Sequence, residues 1–393
     1  MPPRPLANLR VLEFGQIAAG PFAGMLLADL GADVVKVERP DGGDGMRDWP
    51  PLMVATGDTE GGEYSANFAS LNRNKRSIAV DLKNPADLAR LRALCARADV
   101  VLENFRPGVL PRLGLGYDDV AASNPLIIYC SLSGYGQTGP YAERGAFDVT
   151  IQAMSGLMSV TGEDGADPIK CGVPVGDFVA GLYSAYTILA ALRRRDEAGE
   201  GAHIDCSMLG CLLGISALQT SEYFGSGKVP HRLGSAHPRN APYQAFRAAD
   251  LHFVVAAGNE ALWRRFCDII GLPDLAVDPR FTPQRRRAAN QKELEAILAP
   301  VFRTRSAADW LEGFAAAGIP CAPVNDFAAI LADPHVAAMG LVRPIVLPNG
   351  IETRTVDFPV GISGMEPGIR LMPPALGQHT EDVFEEWLSP ETS

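Results

Sequence analysis

The sequence predicts an α/β protein with a doubly wound, Rossmann-like large domain and a smaller α+β domain. Three observations lead to this prediction. Short apolar runs alternate with helical segments over residues 10–131, a long helical segment follows them, and a stretch rich in Gly, Ser, His and Pro at 224–238 precedes a different pattern. Alternating strands and helices favour a parallel sheet covered on both faces. Right-handed crossovers then make the doubly wound arrangement the default.

The first β-α-β unit comprises residues 10–14 (RVLEF), 21–30 and 32–38 (ADVVKVE), in which the two strands are short apolar runs. The same alternation predicts further strands at 77–80, 98–103 and 126–131 and helices at 85–97 and 117–124. A long helix follows from about 177 to 195. It ends in three arginines, which suit the negative end of a helix dipole.

The smaller α+β domain is predicted at residues 225–330, a range whose first part is the connection. Its pattern indicates strands at 243–246 and 253–256 and helices near 261–270, 290–302 and 307–317. Beyond residue 334 the chain is rich in Pro and Gly, with a strand at 353–358. A short helix closes the chain, with Thr380 as its cap and two acids in its first turn.

Length and charge limit the function. The chain has 393 residues, which at roughly 150 residues per domain corresponds to two or three domains. Its formal net charge is −11 at pH 7. Binding to a phosphate backbone requires a basic face, so this acidic balance argues against nucleic acid as a partner.

Several negative patterns point to a cytoplasmic, metal-free protein. The N-terminal residues offer no apolar signal region, and the most apolar windows, 182–192 and 208–218, are shorter than the roughly 20 residues of a membrane span. Seven scattered cysteines without a C-x-x-C pair favour free thiols over disulfides. The six histidines have no metal-ligand spacing, and no H-E-x-x-H, Walker A or G-x-S-x-G motif occurs.

Two glycine-rich loops are candidate ligand sites. Residues 134–139 match G-x-G-x-x-G, but Pro140 follows at once and no apolar helix begins there, so a turn or active-site loop is favoured over a dinucleotide site. The first β-α turn, residues 15–21 (GQIAAGP), has small residues at a helix N-terminus. Such a loop suits a phosphate-bearing ligand.

Several cations fit a phosphorylated ligand. Arg39 follows the second strand, where doubly wound proteins read a ribose, and an arginine there indicates a sugar phosphate. Residues 74–76 (NKR), Arg106 and Arg112 add positive charge near other strand ends. For each of these residues a solvated surface charge is the alternative.

Asp177 lies among small and apolar residues (VPVGDF) at the start of the long helix. The local sequence alone favours an N-cap aspartate. The alternative is a carboxylate nucleophile that forms a covalent acyl intermediate.

Five segments together resemble family III CoA-transferases, and the similarity continues through PYQAF to the closing PPALGQHTEDVF. Within that family the chain looks most like succinyl-CoA:dicarboxylate transferases of the glutarate-using type. The five segments are LRVLEFGQIAAGPFAGMLLADLGADVVKVERP, LNRNKRSIAVDLK, VLENFRPGVLPRLGLGYDDV, IIYCSLSGYGQTGPYAERGAFD and PVGDFVAGLYSAYTILAAL.

The resemblance implies that Asp177 is the nucleophile and carries CoA as an aspartyl-CoA thioester between an acyl-CoA donor and a carboxylic acid acceptor. It implies no metal. The CoA contacts it implies are Ile17, Ala18, Ala19, Arg39, Leu82, Lys83, Asn104, Phe105, Arg112, Arg144, Gly145 and Asp148. As acceptor-binding residues we predict Gln16, His237, Arg239 and Asn240, with a simple turn as the alternative for the last three.

The family fold implies a large domain built from both ends of the chain, here 1–220 and 331–393, and a homodimer of interlocked subunits. Two other functions remain open. An acyl-CoA racemase of the same family carries a catalytic histidine where this chain reads GAFDV at 145–149, so one of its two bases is missing. A non-catalytic acyl-CoA-binding protein would not need the intact Gly176-Asp177 pair.

Overall fold

A computed structural model of the chain describes residues 4–54, 62–365 and 368–389. The chain forms two compact units. The first comprises Met1–Leu157, Lys170–Ser226 and Ala337–Ser393, and the second comprises Met158–Ile169 and Gly227–Val336. The outer ends of the predicted domain ranges, 1–3 and 390–393, lie outside the described residues.

The elements are numbered in chain order. The strands are β1 Arg10–Phe14, β2 Asp33–Glu38, β3 Leu52–Val54, β4 Glu63–Ser65, β5 Lys75–Ala79, β6 Val100–Glu103, β7 Ile128–Ser133, β8 Ala202–Ser207, β9 Tyr243–Arg247, β10 His252–Ala256, β11 Cys321–Pro323, β12 Val342–Val346 and β13 Glu352–Val356. The helices are α1 Ala19–Asp29, α2 Ala66–Asn72, α3 Pro85–Cys95, α4 Val109–Arg112, α5 Tyr117–Ser123, α6 Asp148–Met154, α7 Leu157–Val160, α8 Val175–Ala198, α9 Met208–Ile215, α10 Ala217–Ser226, α11 Glu260–Ile269, α12 Gln284–Ala289, α13 Gln291–Phe302, α14 Ala307–Ala316, α15 Phe327–Leu331, α16 Pro334–Met339 and α17 Thr380–Leu388.

A parallel sheet organises the first unit. Within the described residues its strands run in the order β5-β2-β1-β6-β7-β8, and every neighbouring pair is parallel. Counted within the sheet alone, this is the order 3-2-1-4-5-6 of doubly wound dinucleotide folds. The strand order reverses between β1 and β6, and ligands of such sheets bind beyond the carboxyl ends of the strands at that point. The α/β class and the large parallel sheet are therefore confirmed.

Both faces of this sheet are buried, because successive side chains of a strand point to opposite sides. On one face Val11, Leu102 and Ile128 pack with apolar residues of α1 and α8. On the other face Leu12, Val101 and other strand residues pack with those of α3 and α17. Strands covered on both sides read as continuous apolar runs, which is why the sequence revealed them.

The second unit contains a small antiparallel sheet in the order β11-β10-β9. Helices α11, α13 and α14 contribute to its aromatic core, whose fully buried members include Trp263, Phe266, Phe302, Trp310 and Phe314.

Two details of the helices differ from the sequence predictions. Helix α8 begins at Val175, two residues before the predicted start. Thr380 is the first residue of α17 and not its cap. Its hydroxyl instead accepts a hydrogen bond from the Ala79 N–H (3.0 Å) and donates one to the Gly377 carbonyl (2.8 Å).

Helix α8 is longer than the apolar windows in the sequence suggest. Among the described residues it alone is long and apolar enough to cross a membrane. It packs against the core of the first unit through Ala180, Ala185 and Ile188, and a core helix meets the same criterion.

Candidate active site

A cleft of about 360 Å³ opens at the carboxyl edge of the sheet, where the strand order reverses. We call it the Asp177 cleft. The loop after β1 forms one wall and the loop after β6 forms another. Its lining residues are Gln16, Ile17, Ala18, Ala19, Asn104, Phe105, Arg106, Pro107, Leu132, Ser133, Gly134, Arg144, Ala146, Phe147, Asp148, Asp177 and Met208. The structure thus brings together nine of the predicted site residues.

The side chain of Asn104 holds the two loop walls together. Its Oδ1 accepts a hydrogen bond from the Gln16 N–H (2.8 Å), and its Nδ2 donates one to the Gln16 carbonyl (2.9 Å). Gly20 lies against the same side chain, where a Cβ atom would come within 3.2 Å of Asn104 Cγ. These contacts therefore fix the backbone of Gln16 just before the N-terminus of α1.

Ile17 adopts a left-handed backbone conformation with φ of 63°, which is unfavourable for a β-branched residue. The Asp44 carboxylate accepts two hydrogen bonds from its N–H, at 3.0 and 3.2 Å. Asp44 in turn pairs with Lys36 (2.9 Å), and the Lys36 ammonium also donates to the Gly15 carbonyl (2.6 Å). A buried ion network thus holds this loop in its strained form.

Asp177 is the third residue of α8, and Pro174 occupies the cap position. The N-cap interpretation of Asp177 is therefore wrong, because Asp177 lies within the first turn of the helix, three residues after the cap position. Two glycines determine how closely the start of α8, and with it Asp177, approaches its neighbours. At Gly176 a Cβ would lie 2.9 Å from Asp148 Oδ1, and at Gly181 one would lie 2.8 Å from the Ala19 carbonyl. Small residues at these positions let the start of α8 approach both α6 and α1.

The surroundings of the Asp177 carboxyl change its pKa. Burial, reinforced by the negative charge of Asp148, raises the pKa of Asp177 to about 7. The charged side chains that line the cleft with it are Asp148, Arg106 and Arg144. A poorly solvated carboxylate can act as a nucleophile, and perturbed pKa values cluster at functional sites.

A second cavity, of about 490 Å³, lies beyond the ends of β2 and β5 and shares Gln16 and Phe105 with the Asp177 cleft. We call it the Arg39 cavity, because Arg39, Leu82 and Lys83 line it. The two cavities adjoin at these shared residues, and the second is lined by the cations Arg39 and Lys83 as well as by three acids, Glu38, Asp41 and Asp81. This arrangement fits a long phosphorylated ligand whose reactive end lies at Asp177.

The prediction that residues 74–76 supply cations to this edge is wrong. Lys75 and Arg76 are the first residues of β5, where Lys75 is buried and Arg76 is half-buried. Lys75 is fully buried and pairs with Glu13 (2.8 Å), and the Arg76 Nε donates to Asp33 Oδ1 (3.0 Å). Their charges are neutralised by acids from distant positions, which a local window of sequence does not reveal.

Other predicted residues lie outside both cavities. Arg112 ends helix α4, and Gly145 lies against Arg106. His237, Arg239 and Asn240 belong to the second unit, where the His237 Nδ1 accepts hydrogen bonds from the N–H groups of the other two (3.1 Å each). Burial and the nearby Arg239 lower the pKa of His237. These hydrogen bonds form within one turn of the chain, and a role of the three residues in acceptor binding stays a prediction.

Sequence reasoning missed several residues in and around the site, among them Met208, Asp44 and Gln152. Met208 lines the cleft from the start of α9, and Asp44, which caps the 3₁₀ helix Gly45–Asp48, holds Ile17. Gln152 lies one helical turn after Asp148 and bonds to it. The i, i+4 spacing of Asp148 and Gln152 was a usable signal for a side-chain pair on one helix face.

Within the described residues, nothing supports a metal site or a catalytic histidine in the Asp177 cleft. It contains no group of three or more His, Cys, Asp or Glu side chains able to hold a metal ion. No histidine lines the Asp177 cleft, and Ala146 and Phe147 occupy the wall where a racemase base was considered. The seven cysteines are free thiols.

A doubly wound sheet with a half-buried carboxylate of raised pKa in a cleft at its switch point is typical of an enzyme active site. The chain belongs to CoA-transferase family III, whose model matches residues 6–380. This confirms both the family indicated by the motifs and the prediction of an enzyme.

The chain is similar to several characterised relatives. It is 40% identical to the succinate–glutarate CoA-transferase of Agrobacterium fabrum, covering 97% of this chain and 95% of that protein. It is 38% identical to the human succinyl-CoA:glutarate CoA-transferase, covering 98% and 86%. The crystal structure of a CAIB/BAIF family protein from Brucella suis superposes with a TM-score of 0.87 at 39% identity, covering 98% of this chain and 99% of that one.

Proposed function

We propose that this enzyme moves CoA from succinyl-CoA to a small dicarboxylic acid through an aspartyl-CoA thioester on Asp177. The observation that carries the proposal is the half-buried Asp177 carboxylate in a cleft that shares Gln16 and Phe105 with the Arg39 cavity. The relatives named as glutarate and mesaconate CoA-transferases support the choice of donor and acceptor.

The proposed reaction consists of four acyl transfers. The Asp177 carboxylate attacks the thioester carbonyl of the donor, and the CoA thiolate leaves to give a mixed anhydride. The thiolate then attacks the aspartyl carbonyl and releases succinate. The acceptor carboxylate attacks the aspartyl-CoA thioester, and the thiolate finally attacks the acceptor side of the second anhydride, which restores Asp177. Each step exchanges one activated acyl group for another, so no external energy source is needed.

The predicted CoA contacts are part of this proposal. The thioester end of CoA would lie in the Asp177 cleft, against the loop from Gln16 to Ala19. The sugar phosphate would lie near Arg39 and Lys83, with Leu82 and Phe105 beside the base. Arg144 and Arg106 bring positive charge to the cleft, and the Arg144 guanidinium lies 3.8 Å above the Tyr141 ring.

We also infer a cytoplasmic homodimer in which the first unit is the CoA-binding part. Helix α10 has no buried residue within the single chain and exposes Leu218, Tyr223 and Phe224. An apolar helix face of this kind is typical of a subunit interface. Free thiols on all seven cysteines are consistent with a reducing compartment.

Native mass spectrometry tests the proposal. After incubation with succinyl-CoA we expect one CoA, less the water lost on thioester formation, on each subunit of a dimer. Peptide mapping should place it on Asp177. Adding glutarate, mesaconate, citramalate, malate and itaconate singly should discharge the adduct with one or two acids and form their CoA thioesters. Tight CoA binding without any adduct would contradict the mechanism, and a 41.9 kDa species alone would contradict the dimer.

The pH dependence provides a second test. Only the ionised Asp177 attacks, and its pKa is raised to about 7, so kcat/KM for the acyl-CoA donor should rise through about pH 7 and level off above it. The profile reports ionisations of the free enzyme, and stopped-flow measurements between pH 5 and 9 would record it. A rate that is already level at pH 5 would show that the carboxyl ionises in its ordinary range.

A further inference from the structure

Gln152 is a buried amide next to the active site that the proposed reaction does not use. It lies on α6, one turn after Asp148, and none of its surface is exposed. Its Nε2 donates a hydrogen bond to Asp148 Oδ2 (2.7 Å), and its Oε1 accepts one from the Cys171 N–H (2.8 Å). Both ends of the amide are therefore committed, and its orientation is fixed.

Asp148 connects Gln152 to helix α8, which carries Asp177. Its other oxygen, Oδ1, accepts a hydrogen bond from the Gly176 N–H (2.8 Å). Helix α6 thus holds the segment that leads into α8 at two points, Cys171 and Gly176. Gly176 directly precedes Asp177, so the place of the nucleophile's backbone depends on this chain of three hydrogen bonds.

We propose that Gln152 is a positioning residue for Asp177, which it holds in place through Asp148 and through the backbone of Cys171. This inference rests on the proposed function of Asp177 and extends it. Gln152 does not line the Asp177 cleft, so it acts through its neighbours. Two hydrogen bonds from one buried side chain fix both a backbone segment and a carboxylate rotamer.

An amide suits this position better than a carboxylate. A glutamate here would set a second negative charge 2.7 Å from Asp148 Oδ2, in a half-buried region where water screens it only in part. Asp148 is the acid facing Asp177 from α6, and Arg106 and Arg144 are the cations that line the same cleft. The neutral amide steadies Asp148 without adding charge beside the nucleophile.

The test measures single-turnover formation of the aspartyl-CoA thioester against pH. Gln152→Met keeps the volume and removes both bonds. We expect the rate at high pH to fall about tenfold, with an unchanged dissociation constant for CoA, because misplaced reacting groups slow chemistry more than binding.

Gln152→Glu should raise the midpoint of the pH profile by about one pH unit, and Asp148→Asn should lower it by about one unit. Gln244→Glu, a matched change at a buried glutamine of β9 in the second unit, should leave the midpoint unmoved.

The outcomes separate this inference from the function on which it rests. Without an aspartyl-CoA thioester in the wild-type enzyme, the proposed function fails. A wild-type thioester together with a wild-type rate in Gln152→Met overturns the positioning role alone, as does a midpoint that moves equally in Gln244→Glu. If Gln152→Glu does not fold, two measurements still test the positioning role. They are the rate of Gln152→Met and the direction in which Asp148→Asn moves the midpoint of the pH profile.

Discussion

Replacing Asp177 by asparagine is expected to lower CoA transfer at least about a thousandfold, because the remaining amide has no anionic oxygen to attack a thioester. The asparagine keeps the size of the side chain and leaves the bond between Gly176 and Asp148 in place. Steady-state transfer from succinyl-CoA to the preferred acid would measure the loss. The CoA adduct should disappear in the same variant.

The same variant is expected to be more stable than the wild-type protein above about pH 4. The pKa of Asp177 is raised from 3.8 to about 7 in the folded protein, so the stability contributed by its protonated form is lost as the pH rises through 7. A neutral asparagine avoids that loss. About three pKa units correspond to at most about 4 kcal/mol, and to less here because water partly screens the side chain. Thermal melts at pH 4 and pH 8 would show the difference.

A matched control lies at the other end of the same helix. Asp196→Asn changes an exposed carboxylate near the end of α8 and should leave transfer within about twofold of wild type. An Asp177→Asn protein that is folded and stable but inactive assigns the loss to chemistry. An Asp177→Asn protein that keeps near-normal transfer would refute the covalent mechanism.

Most of the large unit could be predicted from sequence because its strands are buried on both faces. Short apolar runs such as 10–14 and 100–103 are typical of strands covered on both faces, and helical segments between them favour parallel pairing. The first β-α turn was recognisable from its small residues, and it became one wall of the cleft. Periodicity and spacing contain no signal for an interlocked dimer, and that prediction rests on the family resemblance alone.

The functional role of single charges was harder to predict. Asp177 resembled a helix cap, and only the family resemblance indicated a nucleophile, whereas the fold adds the burial and the neighbouring Asp148 that raise its pKa. Arg39 and Lys75 looked equivalent as cations near strand ends. One lines a cavity and the other is buried against Glu13, because pairing between strands decides which charge is neutralised. Such pairing is set by tertiary packing and leaves no local signal.

The buried ion network under the β1–α1 loop provides the second large effect, because Lys36→Met is expected to destabilise the protein by about 3–5 kcal/mol. Lys36 is fully buried between Glu13 (3.1 Å) and Asp44 (2.9 Å). Burial alone lowers the pKa of Lys36, but these acids and Glu38 raise it above its ordinary value. Its stabilising charge is therefore fully present at neutral pH and is lost only above the ordinary lysine range.

Methionine removes the charge and leaves the carboxylates of Asp44 and Glu13 buried, with only Lys75 still beside Glu13. Scanning calorimetry and urea unfolding would measure the loss, and Lys292→Met, which breaks the exposed pair with Asp164, should cost no more than about 1 kcal/mol. Hydrogen exchange adds a local readout, since the Ile17 N–H relies on Asp44 as its acceptor and should exchange faster in Lys36→Met. A loss as small as that of Lys292→Met, with unchanged exchange at Ile17, would show that the loop keeps its strained form without the network. A large loss with faster exchange would show that the charges buried beneath the sheet edge hold the wall of the active site.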